Sequence, residues 1–219
     1  MRRNDNMIEA LIYKDIKLMF KDNILLLVGQ FLCILIIITT NLGIAGYSIL
    51  SVANCRTYLM NVSSKEKAAK GNILLLSTPY RKQELIIAKY LTAYLLFIST
   101  TLFYSGISEI FKMIHVELFP QISCDVFFIT LLSVSLFVGI TLPMYLKLDD
   151  SIIKIASSIM ILGTFIIGYV VFKQLSAQVV LELMNWTNKY LGLLSIIISI
   201  LAVIVSYIIS FTIMSKTEY

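Results

Sequence analysis

From Asn23 to Ser64 the chain runs for 42 residues with one charged side chain, Arg56. Lipid offers peptide groups no water to bond, so a stretch this apolar must satisfy its backbone internally, as helix. A hydrocarbon core of about 30 Å takes roughly 20 residues at about 1.5 Å rise each. The run therefore has length for two crossings, with a tight reversal at Thr39–Gly46, where "TTNLGIAG" supplies Asn and Gly. Four further uncharged runs fit one crossing apiece: Tyr90–Ser108, Val126–Leu146, Ile155–Phe172 and Tyr190–Ser215.

Composition points the same way. Of 219 residues, 58% are hydrophobic and 14% charged, which excludes a soluble domain with a charged shell. The gaps between apolar runs reach only about 30 residues, too few for a separate core. The expected architecture is all-α: a single transmembrane domain over 1–219, with six spans at about 24–41, 43–62, 90–109, 126–146, 153–172 and 191–214. An interfacial helix over 1–22 precedes them, and a segment over 63–89 separates the second span from the third. The start, "MRRNDNMIEALIYKDIKLMFKDN", carries charges throughout and reads as a retained N-terminus rather than a removable signal.

Charge chooses between five spans and six. With six, 15 of the 18 Lys and Arg fall on one side, leaving Lys112, Lys173 and Lys189 on the other; with five, the split is 8 against 10. Only the six-span plan gives the bias of the positive-inside rule, and it puts both termini in the cytoplasm. Trp186, Tyr190 and Phe119 fall in the outer connections, where interfacial aromatics belong. The net charge of +5 is thus read as topology, not as a nucleic-acid surface.

Before the first span, Ile8, Leu11, Ile12, Ile16, Met19 and Phe20 recur at helical spacing, with Glu9, Lys14, Asp15, Lys17 and Lys21 assigned to the rest of the wheel. Asn6 and Glu9 have capping-box spacing. Such a helix either lies on lipid as an anchor or serves as an elbow that touches a partner. In the segment 63–89, Pro79 ends one element at "STP" and lets "YRKQELIIAKY" begin another, a helix-turn-helix facing the cytosol. Its apolar group Ile73, Leu74, Leu75 and Leu76 can be buried only against span ends or another protein.

Several functions lack their residues. The uncharged runs hold no Asp, Glu, Lys or His for an ion-coupled cycle, and Arg56 reads as lying near a cytoplasmic end. The single His115 falls in an outer loop, Cys33, Cys55 and Cys124 are unclustered, and no phosphate loop appears. Catalytic, cofactor and metal sites are therefore expected to be absent. In the last span Ser195, Ser199, Ala202, Ser206 and Ser210 share one face at steps of 4, 3, 4 and 4. Ser135, Gly139 and Pro143 do so in the fourth, and such stripes pack helices within a chain, form a dimer face or line a path.

The stretch "KEKAAKGNILLLSTPYRKQELIIAKYL" resembles a recurrent segment of the type-2 permease family of ATP-binding-cassette exporters. The matching positions are Glu66, Lys67, Gly71, Leu75, Leu76, Pro79, Arg81 or Lys82, Glu84 and Lys89; "LIYKDIKLMFKDN" also looks like the family's N-terminal interfacial helix. The resemblance implies a coupling helix seated in a cleft of a separate ATPase, with Leu74, Leu75 and Leu76 as apolar contact and Pro79 as bend. Arg81, Lys82 and Glu84 would form the polar rim, beside Glu66 and Lys67. A second cytoplasmic contact is implied at "KLDDSIIK", through Lys147, Asp149 and Asp150. The implied assembly has two ATPase copies holding ATP and Mg and a second identical or homologous permease. It is a multi-pass protein of a bacterial cell membrane, in contact with lipid and not with nucleic acid. Small relatives resemble exporters of amphipathic peptides such as phenol-soluble modulins, bacteriocin-immunity permeases and drug efflux pumps. High Ile, Lys and Asn usage fits an AT-rich bacterial genome. The competing readings are a six-span vitamin receptor of an energy-coupled importer and an intramembrane hydrolase.

Overall fold

The computed structural model describes residues 2–20, 43–68, 82–113, 122–148, 151–153, 155–160 and 191–216. These form six helices: α1 (Arg2–Phe20), α2 (Gly43–Ala68), α3 (Lys82–Met113), α4 (Cys124–Lys147), α5 (Ser151–Met160) and α6 (Leu191–Lys216). No strand occurs among the described residues. Three helices are long and apolar enough to cross a membrane: α3, α4 from Val126, and α6 from Gly192. The proposed first span (24–41), the later part of the fifth (161–172), His115, Phe119, Trp186 and Tyr190 lie outside the described residues. Helix α2 already begins at Gly43, so the second half of the expected Thr39–Gly46 reversal is helical instead.

The core is a seam of large side chains shared by α2, α3 and α4. Tyr47, Leu50, Tyr58 and Val62 of α2 meet Ile86, Tyr90, Ala93, Phe97 and Tyr104 of α3 and Val134, Val138 and Leu142 of α4. Steps of three and four keep each set on one helical face. Polar bonds within this seam follow one scheme. Thr100, Thr101, Thr130 and Ser135 each donate to the carbonyl four residues back in their own helix. Their lone pairs then accept across helices, from Asn54 on Thr100 (3.0 Å), Tyr47 on Thr101 (2.6 Å), Ser48 on Thr130 (2.8 Å) and Tyr94 on Ser135 (2.8 Å). Each hydroxyl is thus satisfied twice, as a polar group away from water requires.

Helix α6 is built outward. Its serines 195, 199, 206 and 210 are buried, while Ile197, Leu201, Ile204, Val205 and Ile208 are exposed. That inversion suits a helix whose solvent is hydrocarbon. Its main neighbour is α4, where Gly139 stands opposite Ala202 and Ser206. Pro143 lies inside α4 and has no N–H to return to the carbonyl four residues earlier, which is that of Gly139. Ser206 Oγ supplies the missing donor at 2.5 Å, and the Tyr90 hydroxyl of α3 donates to Ser206 in turn. A proline in one helix, a serine in the second and a tyrosine in the third therefore form one junction.

This junction makes a testable prediction. Ser206→Ala orphans the Gly139 carbonyl and lowers stability in lipid nanodiscs by about 1–2 kcal/mol. Pro143→Ala gives that carbonyl an N–H, so Ser206→Ala is milder in the Pro143→Ala background; equal losses in the two backgrounds contradict the assignment.

Candidate coupling site at the charged end of the bundle

The last turns of α2 and the first turns of α3 lie where α1 crosses them. Leu11 of α1 packs on Leu85 and Ala88 of α3, with Ile12 and Met214 of α6 beside them. Leu11 is thus buried against the protein, with Ile8, Ile12 and Ile16 of the same helix half-buried. Asp15 and Leu18 follow Leu11 at helical spacing and share this face, so the carboxylate of Asp15 points inward and is 2% exposed. The sequence reading that set Asp15 on the outer wheel is corrected here: Tyr58 donates to its Oδ2 at 3.0 Å, and Lys14 Nζ lies 3.2 Å from its Oδ1. A buried acid is tolerated because both partners come with it.

Glu66 is the centre of the cluster. Its carboxylate, 6% exposed, accepts from Lys14 of α1 and from Lys89 of α3, each at 2.6 Å and each on a different oxygen. One carboxylate thus ties three helices, with two cations balanced by Glu66 and Asp15. Lys65 Nζ adds a bond to the Leu18 carbonyl at 2.8 Å, and Lys82 Nζ one to the Met214 carbonyl at 2.8 Å. These contacts bracket residues 69–81: α2 ends at Ala68 and α3 begins at Lys82. Both ends of that segment are held to α1, and its exit also to the last turn of α6.

Burial opposes the charge of Glu66, but Lys89 and Lys14 more than offset it and hold its carboxyl below the usual carboxylate range. Burial likewise opposes the Lys14 ammonium, and Glu66 and Asp15 outweigh it, raising Lys14 above the ordinary lysine range. The lowered acid stabilises the folded state above the ordinary carboxylate range and loses that contribution as pH falls through its depressed value. The raised base contributes below the ordinary lysine range and loses it as pH climbs through its elevated value.

Of the residues expected to contact an ATPase, Glu66, Lys82 and Glu84 fall in or beside this cluster, and Glu84 is buried. Lys67 is in the final turn of α2, but its side chain is outside the description, as are Leu74, Leu75, Leu76, Pro79 and Arg81. Lys147 is exposed in the last turn of α4, while Asp149 and Asp150 are outside the described residues. Ser195, Ser199, Ser206 and Ser210 are buried within the chain and belong to the α4–α6 contact rather than to this end. Lys14, Asp15, Tyr58 and Lys65 were not singled out by sequence. The available signal was Asp15 itself, an acid four residues after Leu11 and three before Leu18.

The cluster predicts how α1 responds to pH. Amide exchange of residues 8–18 is slow across neutrality and quickens at pH below the carboxylate range. Glu66→Gln speeds exchange at neutral pH and shrinks the acid-side change; an acid response of undiminished size in that variant contradicts the role given to Glu66.

No curated protein and no solved structure matches the chain. A family model, described as ABC-2 family transporter protein, matches residues 10–215, nearly the whole chain, from the middle of α1 to the last turn of α6. The chain belongs to the ABC-2 family and is the membrane subunit of an ATP-binding-cassette transporter.

Proposed function

We propose that the chain is an exporter permease in which the cytoplasmic segment 63–89 carries the coupling helix and the Glu66 cluster is its mount. The observation that carries this reading is the placement of Lys14, Asp15, Tyr58, Glu66 and Lys89 around both ends of that one segment. In an ATP-driven permease, closure of the ATPase subunits must move the spans rather than merely bend a loop. A buried carboxylate held by two ammoniums from two further helices makes a stiff joint, because each separation leaves a charge without its partner. Load entering at 69–81 then passes to α3 through Lys89, to α1 through Lys14, and to α6 through Lys82.

The working unit is two permeases, identical or homologous, with two separate ATPase subunits that bind ATP and Mg. Both termini of the chain are cytoplasmic, in a bacterial cell membrane, so the charged end faces the ATPase. The spans at about 24–41, 43–62, 90–109, 126–146, 153–172 and 191–214 form the path with those of the second permease. Their interior offers Tyr, Ser and Thr rather than carboxylates, which suits amphipathic peptides or other amphipathic compounds. No observation among the described residues favours the vitamin receptor or the hydrolase.

Two variants separate contact from transmission. Leu75→Asp with Leu76→Asp removes the apolar contact and abolishes co-purification with the partner ATPase. Glu66→Ala leaves Lys89 without its carboxylate and Lys14 with Asp15 alone, lowers stability by about 3 kcal/mol, and retains the ATPase while losing substrate-stimulated hydrolysis. Undiminished co-purification in the first variant refutes the contact, and undiminished stimulation in the second refutes the mount.

A further inference from the structure

Arg56 is the one charged side chain between Asn23 and Ser64, and its neighbours fix its level in the bundle. The adjacent Cys55 donates to the Ala93 carbonyl at 3.6 Å, and Asn54 to Thr100 at 3.0 Å. Both acceptors sit within the uncharged run Tyr90–Ser108 of α3, a helix apolar and long enough to cross a membrane. Helix α2 then continues for twelve residues past Arg56 to Ala68, and Glu66 is about 15 Å of helix rise away. Arg56 thus sits at the level of the uncharged run of α3, toward its Ala93 end, and well inside α2.

Its partners are neutral. Nε donates to Ser157 Oγ at 3.1 Å and Nη2 to Ser158 Oγ at 2.5 Å, both on α5. These bonds occupy one edge of the guanidinium. Five N–H groups less two leaves three, of which two lie on the edge formed by Nη1 and Nη2, which matches a carboxylate or phosphate in two parallel bonds. No carboxylate among the described residues pairs with Arg56; Glu66 is held by two lysines, and Asp15 by Tyr58 and Lys14. The side chain is only partly covered by the chain. A cation kept at this level without a counter-charge is costly, and such residues mark sites for ligands. Helix α5 presents Ile152, Ile155 and Ile159 outward at steps of three and four, an apolar strip on the helix that holds the guanidinium.

We propose that Arg56, oriented by Ser157 and Ser158, binds the carboxylate or phosphate head of a single-chain amphiphile, whose tail lies along the apolar strip of α5. The site rests on the reading of the chain as a transport subunit and gives its substrate a charge: anionic at the head. Position favours an amphiphile over a free anion, because a soluble ion would have to leave water to reach this level.

The test uses the full chain in phosphatidylcholine nanodiscs, with dodecanoate, dodecyl phosphate and the neutral dodecanol as probes in titrations read by native mass spectrometry. The anionic probes bind about tenfold or more tightly than dodecanol, and Arg56→Gln removes that preference without weakening dodecanol. Arg56→Lys keeps the charge without the fork and falls between. Should Arg56→Gln fail to fold, Ser157→Ala with Ser158→Ala decides: it keeps the cation but not its orientation, so the preference narrows toward that of Arg56→Lys while dodecanol binding is unchanged, whereas a guanidinium that merely ties α5 to α2 would lose binding of all three probes together. Equal binding of dodecanoate and dodecanol by the unaltered chain overturns the site. Displacement of dodecyl phosphate by equimolar inorganic phosphate overturns the amphiphile as ligand. Retention of the ATPase, scored on the same preparations, reports on the transport reading alone, so the two fail separately.

Discussion

The carboxylate of Glu66 between two ammoniums is the interaction on which the arrangement of this protein turns. Without it, α1 would keep its bonds to α2 through Tyr58 and Lys65 and its apolar contact through Leu11, but no charged tie would join α1, α2 and α3 at once. Buried ion pairs contribute little net stability over apolar packing, yet they are costly to break once formed. That asymmetry is useful in a joint. It resists partial opening, and it specifies one register of α1 against α2 and α3 because the charges must meet in pairs.

Away from this end, the governing constraint is that nothing polar be left unsatisfied in hydrocarbon. Threonines and serines of α3 and α4 give their protons to their own helix and accept from a neighbour, so helix contact and polar satisfaction are met by the same bonds. The Gly139 carbonyl, freed by Pro143, takes its donor from another helix, and Ser206 brings it. Arg56 obeys the rule only in part: two hydroxyls satisfy one edge of its guanidinium, and the other edge awaits an acceptor.

How much of this was legible in the sequence depended on whether a residue's partner was local. The serine face of α6 could be read from its steps of 4, 3, 4 and 4, since helical geometry alone places those residues together. The carbonyl freed by Pro143 is also a local consequence, four residues back. Its donor was not legible, because Ser206 is 67 positions away from Gly139. Asp15 misled for a similar reason: a wheel sorts charges outward, and the Tyr58 donor that joins Lys14 in satisfying an inward carboxylate is 43 positions later. Glu66, Lys82 and Glu84 came from a resemblance, which located the segment but could not show that Lys14 and Lys89 share one acid. Arg56 was visible as a lone charge, but its partners Ser157 and Ser158 lie 101 and 102 positions away, beyond what local spacing shows.

The central claim is that α1 and the start of α3 move as one body when the partner ATPase closes. It is tested most directly by electron–electron distance measurements between spin labels at Lys17 and Gln83, both exposed, in a chain whose native cysteines are serine, reconstituted with its ATPase. The account predicts one narrow distance that is the same without nucleotide and with ATP trapped, and a broadened distribution when Glu66 is alanine. A distance that shifts with nucleotide in the unaltered cluster would show the joint to be a hinge and contradict the account.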